Sequence, residues 1–290
     1  MRSLRTRLEQ ARHRTGMGWE VLERDYILSW ILAGISRHEQ LRETLVFKGG
    51  TALKKCYFGD YRFSEDLDFS GLAGVPVGGD METAIDGVCR TAAELLDEYA
   101  PVRIVWERYT ERDPHPAGQE AFAIRAQLPW QRTPQTRALV EIAIDEPILK
   151  APSHRKVIHD YGEPVEADVQ VYSLEEIIAE KLRAILQHRR MLKERGWSRS
   201  RARDYYDIWR ILGAYRDSLD LTAFGQLVKA KCEVRDVDFQ GADDFFDAAM
   251  LAYVERTWSE WLGNLVPDLP TSEAVMTELR PQIATILQTA

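Results

Sequence analysis

The sequence predicts an α+β fold, with an N-terminal lobe of helices and strands over residues 1–160 and a helical C-terminal lobe over residues 161–290. Two observations carry this. Short runs of alternating apolar residues fall before Pro147, whereas apolar residues from Ser173 onward recur at helical spacing. Pro147 and Pro152 interrupt regular structure between the two patterns and put the boundary within residues 150–172.

In chain order, residues 20–43 read as a helix with Val21, Leu22, Tyr26, Ile27, Trp30, Ile31 and Ile35 on one stripe. Residues 45–48 read as a strand ending at Gly49-Gly50, and residues 51–57 as a short helix capped by Thr51. A second strand follows at 66–70, then a Gly/Pro-rich loop at 71–79 and a helix at 81–99. Alternation at Val102, Ile104 and Trp106, at Phe122, Ile124, Ala126 and Leu128, and along 138–144 predicts three more strands, with a turn at 113–118. Ser173-Leu174-Glu175-Glu176 forms a capping-box pattern ahead of a stripe of Leu174, Ile177, Ile178, Leu182, Ile185 and Leu186. The segment from Arg201 to Trp209 opens the next helix, and Trp258, Trp261, Phe245 and Phe246 read as core.

A net charge of −8 argues against a generally basic nucleic-acid-binding surface. Locally the balance reverses. Arginines crowd residues 2–14, and between Lys181 and Arg203 the only acid is Glu194. Such a strip is either a solvated helix face or a polyanion contact. No apolar run is long enough to span a membrane, and the N-terminus lacks the apolar core of a signal peptide, so a cytoplasmic protein is expected. Cys56, Cys89 and Cys232 are too few and too irregularly spaced for a disulfide frame or a zinc site.

The chemistry concentrates in residues 47–69. Asp66 and Asp68 are two apart, so on a strand they share one face, while Leu67 and Phe69 point to the core. Two carboxylates side by side repel unless a divalent cation lies between them. Gly49, Gly50 and Thr51 ahead of them offer backbone N–H groups to a phosphate. Glu141 occupies the middle of a strand, where a carboxylate is costly unless it is paired, metal-bound or on an exposed edge; Asp145, on the same face, is the fallback. Lys181 interrupts the apolar stripe of its helix and either meets an anion or snorkels to solvent. Asp204 aligns with Ile208, Ile211 and Leu212 and is expected to face inward, able to hold Lys181, with Asp207 pairing Arg203 at i,i+4. Ser64 lies in the loop before the Asp66 strand, where its hydroxyl either touches phosphate or closes a turn, and where phosphorylation would add charge beside the carboxylates. His154 and His159 read as surface residues, and no P-loop, dinucleotide fingerprint or nucleophile-elbow motif is present.

Four ordered segments resemble the AbiEii-type nucleotidyltransferase toxins of type IV toxin–antitoxin systems, in the polymerase-β-like superfamily. They are Lys48-Gly49-Gly50-Thr51-Ala52-Leu53 with Arg62-Phe63-Ser64-Glu65-Asp66-Leu67-Asp68-Phe69; Val140-Glu141-Ile142; Glu180-Lys181-Leu182 with Ala184; and Arg203-Asp204-Tyr205-Tyr206-Asp207-Ile208. Arg203 stands where the family often has lysine. The resemblance implies a polymerase-β-like lobe with a mixed sheet plus a helical lobe. It also implies a nucleoside triphosphate donor, Mg²⁺, transfer of a nucleoside monophosphate to the 3′ end of tRNA, and an antitoxin encoded alongside. On it, Asp66, Asp68 and Glu141 are expected to hold metal. Lys48, Gly49, Gly50, Thr51, Ser64 and Lys181 are expected to bind the nucleotide, and Asp204 to orient Lys181 or the sugar. Residues 189–203 would receive an acceptor stem. The alternatives are transfer to a small-molecule or protein hydroxyl, or a non-catalytic nucleotide-binding module.

Overall fold

The computed structural model describes residues 2–110, 118–144, 146–196 and 199–288. The expected turn at 113–118, except Gly118, and the fallback Asp145 lie outside them. The chain forms two compact units. One comprises residues 1–148 and 152–172, the other residues 149–151 and 173–290.

The described part of the first unit is built on seven strands: β1 (Leu45–Lys48), β2 (Asp66–Gly71), β3 (Arg103–Arg108), β4 (Gln119–Gln127), β5 (Thr136–Ala143), β6 (Ser153–Lys156) and β7 (Asp168–Val171). Their order is β3-β4-β5-β2-β1-β7-β6, and the sheet is mixed: β2–β5 and β1–β7 are parallel, the other pairs antiparallel. The helices of this unit are α1 (Leu4–Thr15), α2 (Trp19–Arg37), α3 (Glu39–Thr44), α4 (Gly49–Ala52) and α5 (Gly78–Asp97). α2 packs on α5 and on β5. The single helix expected at 20–43 is thus two, parted at His38, whose ring accepts the Leu41 N–H at 3.3 Å and caps α3. Sequence alternation missed β6 and β7.

Polar side chains tie α1 and α2 to the segment 157–163. The Lys55 ammonium lies 2.8 Å from Asp25 Oδ2 and donates to Ser29 Oγ, and the Tyr161 hydroxyl donates to the same Asp25 oxygen at 2.9 Å. Glu163 pairs with Arg7 and accepts the Tyr26 hydroxyl at 2.5 Å. His159, expected at the surface, is buried in this cluster with its Nε2 3.7 Å from Glu163, and burial pushes its pKa down. His154 is exposed and lies 2.9 Å from Asp168.

The second unit is helical in its described residues: α6 (Leu174–Arg195), α7 (Ala202–Tyr215), α8 (Phe224–Glu233), α9 (Ala248–Leu262) and α10 (Ser272–Leu287). Ser173 caps α6 through its hydroxyl, but the other half of the expected capping box has a different task. The buried Glu176 carboxylate accepts the backbone N–H groups of Leu149 and Lys150 at 3.0 and 2.9 Å and lies 2.5 Å from the Lys231 ammonium. Phe245, Phe246 and Trp258 are core as expected, whereas Trp261 is half-buried under the guanidinium groups of Arg199 and Arg203. The three cysteines are buried and free, and among the described residues no helix is long and apolar enough to cross a membrane.

Candidate active site

β1 and β2 form a hairpin-like pair whose connection carries most of the motif residues. Lys48 ends β1, and Gly49 follows at φ +78°, a left-handed conformation that disfavours any residue with a Cβ. A Cβ at Gly49 would also fall 2.4 Å from Asp68 Oδ2, and one at Gly50 2.3 Å from an Arg62 guanidinium nitrogen. The two glycines therefore let the backbone lie directly against a carboxylate on one side and a buried arginine on the other. The turn starts α4 at Gly49, two residues earlier than expected, and a π-helical turn (Leu53–Tyr57) continues it. Thr51 is consequently inside the helix and does not cap it; its hydroxyl donates to the backbone carbonyl of Asp66 and links the turn to the start of β2.

On β2 the alternation follows the pleat. Leu67 and Phe69 are fully buried, whereas Asp66 and Asp68 are half-buried on the opposite face. Glu141 on β5 is in register with Asp68, and Lys48 on β1 is in register with Asp68 from the other side. Paired residues share a sheet face, so Lys48, Asp68 and Glu141 form a row across three strands, with Asp66 on that face one pleat along β2. Ser64 is half-buried in the loop just before β2.

Sequence reasoning did not single out Glu146. Its buried carboxylate pairs with Lys48. The Lys48 ammonium also sits 5.6 Å from the centroid of the Tyr172 ring, whose hydroxyl is hydrogen-bonded to Ser70 at 2.6 Å. Nothing in the sequence distinguishes Glu146 from its neighbours, because it follows the end of β5 in a segment with no periodicity.

Within the second unit, Lys181 is buried and lies 2.9 Å from Asp204 Oδ1 and 2.7 Å from Asp207 Oδ2. Asp207 thus holds Lys181, a contact that its i,i+4 spacing from Arg203 did not suggest. Arg201 adds a 3.4 Å contact to Asp204. Burial pushes the Asp204 pKa up, but Lys181 and Arg201 more than offset it and hold the carboxyl below its usual range. Much of the basic strip after Lys181 is engaged: Arg189 lies 2.7 Å from Asp244, while Arg199 and Arg203 stack on Trp261. Lys193, Arg195 and Arg199 are exposed.

The nucleotidyltransferase toxin MenT4 of Mycobacterium tuberculosis H37Rv has a similar fold, with a TM-score of 0.59 over 94% of this chain and 85% of that one at 21% identity. No curated protein matches the sequence. The model of the AbiEii nucleotidyl transferase toxins, type IV toxin–antitoxin system, matches residues 30–289 and so takes in both units. The chain belongs to the AbiEii family of nucleotidyltransferase toxins.

Proposed function

We propose that this protein transfers a nucleoside monophosphate from a nucleoside triphosphate to an RNA acceptor, the 3′ end of tRNA, in the cytoplasm, and that an antitoxin encoded beside it restrains it. The observation that carries this reading is the row on the sheet, with Asp68 and Glu141 in register and Gly49 backed against Asp68. Magnesium takes one or two protein carboxylates and completes its shell with water and phosphate oxygens. Two carboxylates of this face suit it for that reason; among the described residues no three His, Cys, Asp or Glu side chains are placed to hold a metal ion together. Asp66, Asp68 and Glu141 would share two such ions between them, which when bound would neutralise charge on the reacting phosphate.

The remaining roles belong to the chain itself. Glu141 or Asp66 would accept the proton of the attacking hydroxyl as its oxygen bonds to the α-phosphorus and pyrophosphate leaves. The Gly49, Gly50 and Thr51 backbone, with Lys48 and Ser64, would hold the phosphates. Lys181, oriented by Asp204, is assigned to the same reaction, and the exposed Lys193, Arg195 and Arg199 to the acceptor's phosphates.

Incubation with total RNA, Mg²⁺ and each labelled triphosphate in turn tests this. The expected result is label at tRNA mobility, lost in Asp66→Ala. Label confined to protein or small molecules would refute the RNA acceptor, and no label with any triphosphate would refute transfer.

A further inference from the structure

Trp261 reads as core in the sequence, yet it is half-buried and carries two guanidinium groups. Arg199 lies 5.4 Å and Arg203 5.3 Å from the centroid of its ring. Helices α7 and α9 hold this arrangement. Arg203 Nε donates to the Trp261 carbonyl at 3.3 Å, and one turn earlier on α9 the Thr257 hydroxyl donates to Ser200 Oγ at 2.7 Å. Ser200 is buried and adjoins Arg199, so the backbone that carries Arg199 is pinned beside the ring.

Arg199 itself is exposed and forms no ion pair among the described residues. A ring face attracts a guanidinium without neutralising it, because the ring carries no net charge. The cation is thus held in place with its charge still available. Burial lowers the pKa of the neighbouring Arg201, Asp204 opposes that, and Arg199 and Arg183 lower it further. Positive charge is therefore crowded where an anion would relieve it. A guanidinium presents paired N–H groups that match two phosphate oxygens, and a stacked one has given up part of its side-chain freedom before it binds. Lys193 and Arg195, also exposed, lie at the end of α6 with no ring beneath them among the described residues.

We propose that Arg199 and Trp261 form a phosphodiester-binding site for the acceptor, in which Trp261 is a positioning residue that holds Arg199 ready for one RNA phosphate. This rests on RNA being the acceptor. It assigns a role to Trp261, a side chain outside the four motif segments, and sets Arg199 apart from the other exposed cations of the strip.

The test measures binding of fluorescently labelled total tRNA to the full chain by anisotropy, without triphosphate, at several NaCl concentrations, with circular dichroism to check folding. Wild type is expected to bind, with log affinity falling linearly against log salt. Arg199→Gln is expected to make that slope shallower by about 0.7–0.9, the share of one phosphate contact. Trp261→Leu is expected to weaken binding about two- to tenfold at fixed salt, because Arg199 must then be ordered on binding. Trp261→Phe keeps a ring and is expected to fall between Trp261→Leu and wild type. In the Arg199→Gln chain, Trp261→Leu is expected to weaken binding no further. A Trp261 that only stabilises the helical unit would lower the melting temperature and weaken binding equally with and without Arg199. That result overturns the proposal, as does an unchanged slope in Arg199→Gln; in either case transfer of label to tRNA by wild type leaves the RNA acceptor standing. If wild type neither binds tRNA nor labels it, the RNA acceptor falls and the proposal with it. Should Trp261→Leu not fold, Trp261→Phe carries the test, with a smaller weakening expected that disappears in the Arg199→Gln chain, and unchanged affinity overturning the proposal.

Discussion

Gly49→Ala offers the sharpest separation of site geometry from fold stability. Two effects act at that position. The left-handed backbone at φ +78° costs a residue with a Cβ about 1–2 kcal/mol. The new methyl would also arrive 2.4 Å from Asp68 Oδ2, about 1 Å inside ordinary van der Waals contact, so the carboxylate must move by about that distance. Displacing a reacting group by ~1 Å costs on the order of 100-fold in rate. Gly74→Ala is the control: φ there is +84°, yet a Cβ would meet nothing within 4 Å. Both variants are therefore expected to melt a few degrees below wild type, by similar amounts. Only Gly49→Ala should lose nucleotide incorporation, by ~100-fold at saturating triphosphate. Incorporation by Gly49→Ala within a few-fold of wild type, or an equal loss in Gly74→Ala, would show that the contact between the glycine turn and Asp68 does not set the catalytic geometry.

Two further predictions concern the second unit. Lys181→Ala leaves Asp204 and Asp207 without their ammonium, and breaking such a buried pair costs about 3–5 kcal/mol. Urea denaturation should show this loss, and Asp204→Asn with Asp207→Asn in the same chain should recover part of it, so any activity loss in Lys181→Ala must be read beside its stability. His188 is buried beside the Tyr253 ring, and burial, with Arg201 adding to it, lowers its pKa to about 4. The unfolded chain then binds the proton more readily, so the stability this histidine confers is fully present above its ordinary value of ~6.5 and drains away as pH falls towards 4. The total is roughly 3 kcal/mol. His188→Leu should flatten the dependence of urea stability on pH across that window, and an unchanged slope would refute the assignment.

Strand parity made the faces of Asp66, Asp68 and Glu141 legible in the sequence. Leu67 and Phe69 need the core, so Asp66 and Asp68 must face away from it, and the same parity along 138–144 puts Glu141 opposite Val140 and Ile142. Register is a different matter. That Asp68 meets Glu141 rather than a residue two along depends on β2 and β5 pairing in parallel, across a chain separation that no local pattern encodes. β6 is Ser-His-Arg-Lys, exposed throughout, so pairing and not amphipathicity makes it a strand, whereas β7 alternates, with Val169 and Val171 buried, over only four residues, too short a run to mark a strand. The cap assigned to Thr51 failed because a glycine at positive φ lets the helix begin where a side-chain rule would not start it.

Glu146 and His159 show why buried polar groups resist reading along the chain. Each lies in an irregular segment, where neither a helical nor a strand period assigns it a face. Each is buried beside a partner far away in sequence or set by a loop: Lys48 is 98 positions from Glu146, and Glu163 reaches His159 only because the segment turns inward against α1 and α2. A buried charge is tolerated only where its partner is delivered by tertiary structure. Charged residues in aperiodic segments are thus the positions at which composition says surface and folding can say site. In this chain one such residue grips the lysine that shares a sheet face with the candidate catalytic carboxylates.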